Sequence, residues 1–364
     1  MKSASVIFHI LKQAGRSLLS RTARPNAEAV VQHIPDPHVP APPGSSGRRT
    51  AGRMSAAQTQ VRRKSHRPSQ FLHCKFDCAA GSRDYRLYVP SCYEGRPLPL
   101  IVMLHGCKQN PEDFAAGTGM NDAAEESGFL VAYPAQTRAA NRMSCWNWFQ
   151  EKHQQRGEGE PAIIAGITRD IMKRYAVDAR QVYVAGLSAG GSMAVVMGNT
   201  YPDLYAAIGV HSGLVYRGAD NAYSAIFAMQ RGARARPQPA GESSASAPTL
   251  PAIVFHGEHD RTVHPDNAKL VIAHSAPNSL QGRPPAEVEI TVRRGQVAGG
   301  HAYTHTAYLD HGRFPVAEYW LVHGSGHAWS GGRGPGSYID DKGPDATREM
   351  VRFLLSHRHP SRVQ

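Results

Sequence analysis

Residues 181–197, QVYVAGLSAGGSMAVVM, decide the fold. Gln181 to Gly186 read as a short strand, and Met193 to Met197 begin a helical pattern that stops near Pro202. Between them stands Ser188, with Gly186 and Gly190 on either side and Gly191 beyond. A Gly-x-Ser-x-Gly match is short, and by itself it fits a glycine-rich turn as well as a catalytic one. A serine on a sharp strand-to-helix turn is another matter. Its neighbours must be small, and the helix N-terminus places free N–H groups beside its oxygen. The context therefore predicts Ser188 as a nucleophile.

A serine hydroxyl needs a base, and the base needs an orienting carboxylate. On such a turn the partners follow in chain order, acid and then histidine. Residues 254–263, VFHGEHDRTV, read as a strand followed by a turn carrying Asp260. Residues 322–329, VHGSGHAW, read as a strand end and a glycine-flanked loop carrying His327. Glu258 and His323 are the competing acid and base. Asp260 is preferred because the turn carries its side chain over the sheet edge. His327 is preferred because its loop can reach across to Ser188. Upstream, residues 104–109, LHGCKQ, end a strand in His-Gly, where backbone donors for an oxyanion are expected. The expected donors are the N–H groups of Cys107 and Ala189, with His105 holding the loop and not serving as a second base.

The rest of the body fits an alternation of buried strands and helices. Strands are predicted at 85–90, 100–104, 129–133, 207–211 and 252–256, a loop and helix over 110–127, and a helix over 160–175. Strands alternating with helices imply right-handed crossovers and a mainly parallel, twisted sheet flanked by helices. A single catalytic domain is expected over 71–358, interrupted by a surface insertion at 231–248 rich in Ala, Arg, Pro and Ser.

The 364 residues carry 41 Lys+Arg against 29 Asp+Glu, a net charge of +12. Residues 1–67 hold 12 of those bases and 2 of the acids, so +10 belongs to them and +2 to the rest. Residues 1–70 therefore read as a basic, Pro-rich arm, with too few large apolar residues to offset its ordering entropy. No specific nucleic-acid partner is read from it. Lys2 precedes an apolar run at 6–11, but His9 and Lys12 interrupt the pattern and no small-residue cleavage site follows, so no signal peptide is read. No apolar run approaches the length of a membrane span. The five cysteines are odd in number, and Cys74 and Cys78 form a lone C-x3-C, so no metal site is expected.

At these residues the chain resembles the poly(3-hydroxybutyrate) depolymerase-type esterases of the α/β-hydrolase superfamily. The resemblance spans about 71–358 and rests on LHGCKQNPEDFA (104–115), GFLVAYPAQ (128–136), CWNWF (145–149), VYVAGLSAGG (182–191), YPDLYAAIGVHSG (201–213), FHGEHDRTVHP (255–265) and HGSGHAWSGG (323–332). It implies an α/β-hydrolase fold, Ser188 as nucleophile, Asp260 as orienting acid, His327 as base, and ester hydrolysis without metal or organic cofactor. The implied substrate is a polyester, its oligomers or a small ester, with feruloyl or acetylxylan ester hydrolysis as the alternative. Secreted members of the group carry a signal peptide and often a substrate-binding domain, neither of which is read here. Extracellular location follows from the resemblance, with a cytoplasmic one as the alternative.

Within this frame Cys107 and Cys145 are expected to form a disulfide that pins the aromatic loop at 145–149 to the oxyanion loop, against the alternative of two reduced cysteines. His105, Trp146, Trp148 and Trp329 are candidates for facing the substrate, with core packing the alternative for each tryptophan. A non-catalytic surface- or granule-binding protein that uses the basic arm is the reading from another class. Oligomeric state is left open.

Overall fold

The computed structural model describes residues 68–233, 250–278, 289–310 and 312–360. The arm up to residue 67 and the insertion from residue 234 lie outside the described residues. Ten strands form one sheet: β1 (Gln70–Cys78), β2 (Gly81–Val89), β3 (Leu98–Leu104), β4 (Leu130–Pro134), β5 (Val177–Leu187), β6 (Ala207–His211), β7 (Ala252–Gly257), β8 (Glu289–Gln296), β9 (Ala302–Leu309) and β10 (Pro315–Val322). Their order is β1-β2-β4-β3-β5-β6-β7-β10-β9-β8. The six central strands, β4 to β10 in that order, run parallel; β1–β2 on one flank and β9–β8 on the other are antiparallel additions.

The buried stretches of the central strands are mostly apolar because helices cover both faces. Successive residues nevertheless alternate between two cores. Leu100, Val102, Leu104, Val182 and Val184 face one, while Ile101, Met103, Tyr183, Ala185 and Leu187 face the other. Over the first face lie α3 (Gly159–Arg174), α4 (Ala189–Thr200) and α6 (Asp266–Asn278), contributing Ile163, Ile167, Ile171, Met193, Met197 and Val271. Over the second lie α1 (Pro111–Thr118), α2 (Met120–Ser127) and α7 (Ala346–Ser356), contributing Phe114, Met120, Met350, Phe353 and Leu354. A further helix, α5 (Ala222–Arg231), follows β6 and is held by a capping box at Asn221 and Ser224.

Two features depart from the sequence reading. The segment 110–127 forms two helices, because Gly119 takes a left-handed conformation (φ 63°) that ends α1 and starts α2. The flanking strands β1, β8 and β9 were not expected. All three lie at or next to a sheet edge, β1 and β8 largely exposed and β9 mostly half-buried, so their residues carry no continuous apolar run. Parallel pairing aligns the strand ends that matter: Leu104 pairs with Gly186, Leu187 with His211, and Val322 with Gly257. The loops carrying Ser188, Asp260 and His327 thus leave the same, C-terminal edge of the sheet.

Candidate active site

Ser188 sits between β5 and α4 with φ 57° and ψ −119°, a strained conformation for a residue bearing a side chain. The neighbouring glycines make that turn sterically allowed. A Cβ on Gly186 would lie 2.5 Å from the Gly190 carbonyl oxygen, and one on Gly190 would overlap the carbonyl oxygen of Leu104. These are backbone conflicts that no rotamer can relieve. The turn is further held by hydrogen bonds: Ser188 N–H donates to His211 O at 2.8 Å, and Ser192 N–H to Ser188 O at 2.9 Å. The Ser192 hydroxyl accepts from Leu214 N at 3.0 Å, which gives this buried serine a structural place.

The two later loops reach Ser188 from β7 and β10. His327 Nε2 lies 2.9 Å from Ser188 Oγ, and His327 Nδ1 lies 2.6 Å from Asp260 Oδ2. The carboxylate only accepts, so Nδ1 carries the proton and Nε2 accepts from the serine hydroxyl. Asp260 Oδ1 takes the N–H groups of Thr262 and Val263, each at 2.8 Å. Burial pushes the Asp260 carboxyl up, but hydrogen bonds from His256 and His327 outweigh it and hold the group well below its ordinary value. Ser188 and the His327 side chain keep 9% and 12% exposure, while the Asp260 side chain is fully enclosed. The competing pair lies apart from this chain of contacts. His323 Nδ1 faces Glu258 Oε2 at 3.3 Å, and its Nε2 meets Thr304 Oγ1 at 2.8 Å.

The amides of Cys107 and Ala189 have no acceptor among the described residues; Ala189 opens α4, where N–H groups lack an intrahelical partner. Cys107 is disulfide-bonded to Cys145, with Cα atoms 4.2 Å apart. Lys108 N–H, next in line, donates to Met143 O at 2.7 Å, a second tie between the same two loops. Beneath them lies a buried carboxylate. Glu160 Oε2 accepts from Asn147 N at 2.7 Å and Oε1 from Asn147 Nδ2 at 2.6 Å, while Gln136 Nε2 donates to Oε1 and, at 3.0 Å, to Cys145 O.

The four side chains considered for substrate contact, His105, Trp146, Trp148 and Trp329, are buried. His105 is fully buried: its Nε2 accepts from Gln136 N at 3.1 Å, so Nδ1–H donates to Gly106 O at 2.8 Å. Burial lowers its pKa to about 4, leaving it neutral. Trp146 Nε1 donates to His105 O at 3.1 Å. Trp148 packs in the same core, edge-on to Phe149. Trp329 packs edge-on to Phe114 and stacks on His211, its Nε1 donating to Thr347 Oγ1. The indole N–H groups of Trp146 and Trp329 each find a buried acceptor, so these rings pack as walls that position the loops. Sequence reasoning passed over His256, His211 and Glu160. His256 and His211 close apolar strands, and a polar residue ending a fully buried run is the signal that could have found them.

Residues 83–277 match the family model described as esterase PHB depolymerase. Among curated relatives, poly(3-hydroxyalkanoate) depolymerase C of Paucimonas lemoignei is 31% identical over 66% of this chain and 57% of its own length. Feruloyl esterase B of Thermothelomyces thermophilus is 31% identical over 38% and 47%. Acetylxylan esterase A of Emericella nidulans is 30% identical over 50% and 63%. The chain thus spans less than two thirds of the length of these relatives. The structure of an acetyl xylan esterase from Aspergillus awamori superposes with a TM-score of 0.59 at 19% identity, covering 79% of this chain and 99% of that one. The fold is that of the α/β-hydrolases.

Proposed function

The chain belongs to the esterase PHB depolymerase family, and on that premise we propose that it is a serine hydrolase cutting the ester bonds of poly(3-hydroxybutyrate) or its oligomers. The observation that carries this reading is the hydrogen-bonded chain Ser188–His327–Asp260, with links of 2.9 and 2.6 Å. His327 Nε2 takes the Ser188 proton as Oγ attacks the ester carbonyl. The oxyanion accepts from the N–H groups of Cys107 and Ala189. His327 then returns the proton to the leaving alcohol, and the acyl-enzyme is hydrolysed by a water activated at the same nitrogen. Asp260 keeps Nδ1 protonated and stabilises the imidazolium as it forms. Removing one oxyanion donor costs about 2.7–4 kcal/mol of transition-state stabilisation in comparable sites, so the held 104–109 loop belongs to the machinery.

Feruloyl or acetylxylan ester hydrolysis is the second reading, favoured by the relatives with those activities. The Cys107–Cys145 bond supports an oxidising compartment and hence extracellular action. Ser188→Ala tests the chemistry: hydrolysis of a short-chain p-nitrophenyl ester falls by about four to six orders of magnitude with the circular dichroism spectrum unchanged. Retained activity ends the proposal. Release from poly(3-hydroxybutyrate) film, its oligomers and feruloylated xylan then ranks the substrates, with the hydroxybutyrate esters expected to lead.

A further inference from the structure

Asp260 has a second histidine neighbour that the three-residue mechanism does not use. His256 is the penultimate residue of β7, four positions before Asp260, and is fully buried. Its Nε2 lies 2.8 Å from Val263 O and 3.4 Å from Asp260 Oδ2. Both are acceptors, so Nε2 carries the proton and its N–H is shared between them. Its other ring nitrogen, Nδ1, is enclosed without any hydrogen-bond partner. A buried polar atom without a partner is costly, and a residue present only to fill volume at the end of an apolar strand would be aliphatic.

From this geometry we infer that His256 is a positioning residue for the reaction, orienting the Asp260 carboxylate toward His327. The loop closes on itself here. Val263 N–H donates to Asp260 Oδ1 while Val263 O accepts from His256, so one imidazole ties the loop backbone and the carboxylate together. Four N–H groups then surround the carboxylate: Thr262 and Val263 on Oδ1, His327 and His256 on Oδ2. With His256 in place, Oδ2 has little room to rotate away from the 2.6 Å bond that keeps His327 in its working tautomer. Without it, the carboxylate pivots on the two amides and that bond loosens.

The inference rests on the catalytic role proposed for Asp260, and a double-mutant cycle separates the two. His256→Gln keeps an N–H at the Nε2 position, whereas His256→Met has nearly the same shape and no donor. Rates on a p-nitrophenyl ester are expressed per active serine counted by burst titration, so misfolded protein does not enter. We expect H256M to lower kcat about 10-fold or more with KM within about 2-fold, and H256Q to recover most of the loss. In an Asp260→Asn background H256M should cost nothing further, because the group it orients is already disabled. An unchanged kcat in H256M, an equal loss in H256Q, or an equal further loss on top of Asp260→Asn each overturns the inference. Full activity of Asp260→Asn alone overturns the triad itself.

Discussion

The turn at Ser188 and the loops carrying Asp260 and His327 meet within hydrogen-bond distance, yet they are held by different physics. Ser188 is fixed by exclusion: Gly186 and Gly190 press backbone against backbone, and no larger residue fits. Asp260 and His327 are fixed by hydrogen bonds, from the Thr262 and Val263 amides on one side to the Ser325 loop on the other, where His259 N–H donates to Ser325 O at 2.9 Å and the buried Ser325 hydroxyl donates to Asp340. Steric exclusion tolerates no exception. A hydrogen-bonded frame loses one link at a time.

That contrast predicts a graded response. Gly190→Ala should be the most damaging change to the fold, since the overlap with Leu104 O forces β3 and α4 apart. A loss of several kcal/mol, or of soluble protein altogether, is expected in urea unfolding. A stable, active G190A would break the comparison.

Next come the buried carboxylates of the hydrogen-bonded frame. Glu160→Gln keeps the shape but turns an acceptor into a donor beside Asn147 and Gln136. A loss of about 2–3 kcal/mol is expected, with a fall in activity because the 145–149 loop is bonded through Cys145 to the 104–109 loop proposed to hold the oxyanion. Stability lost with activity intact would separate the two loops.

The smallest effect should be pH-dependent. Glu318 lies on β10, the strand that delivers His327. Burial raises its pKa, but hydrogen bonds from His305 and Arg352 prevail and hold it at about 2, against an ordinary 4.5. Its stabilisation is therefore present above about pH 4.5 and lost as pH falls toward 2. The stability gap between wild type and Glu318→Gln, on the order of 2 kcal/mol near neutrality and followed by thermal unfolding, should close over that range. A gap that persists at pH 2 would show that the shape of the pair, and not its charge, is what matters.

The same division governs what could be read in advance. Exclusion leaves a mark in the chain, because only glycine satisfies it, so the turn at 186–191 and the buried runs of β3, β4, β5, β6 and β7 were legible. The order of Ser188, Asp260 and His327 was legible too, since parallel crossovers bring strand ends together in a known sequence. Hydrogen-bonded positions leave a weaker mark, for many residue types can donate or accept. Asp260 and Glu258 could not be separated by composition, and the structure separates them by where each carboxylate points: one to His327, the other to His323. The tryptophans illustrate the opposite failure. An indole suits a substrate wall or a core equally well, and only the acceptors found by Trp146 and Trp329 assign them to the core.

Local sequence thus determined β3 to β7 and the serine turn, which follow from periodicity or sterics within a short window, and chain order gave the candidate triad. Tertiary structure alone gave the strands β1, β8 and β9 and the second histidine on Asp260, and it decided for the expected bond between Cys107 and Cys145 and for buried tryptophans. The disulfide joins residues 38 apart and Trp329 meets His211 across more than 100, and even His256, four residues from Asp260, is aimed by the folded strand end; a chain does not record such meetings until it folds.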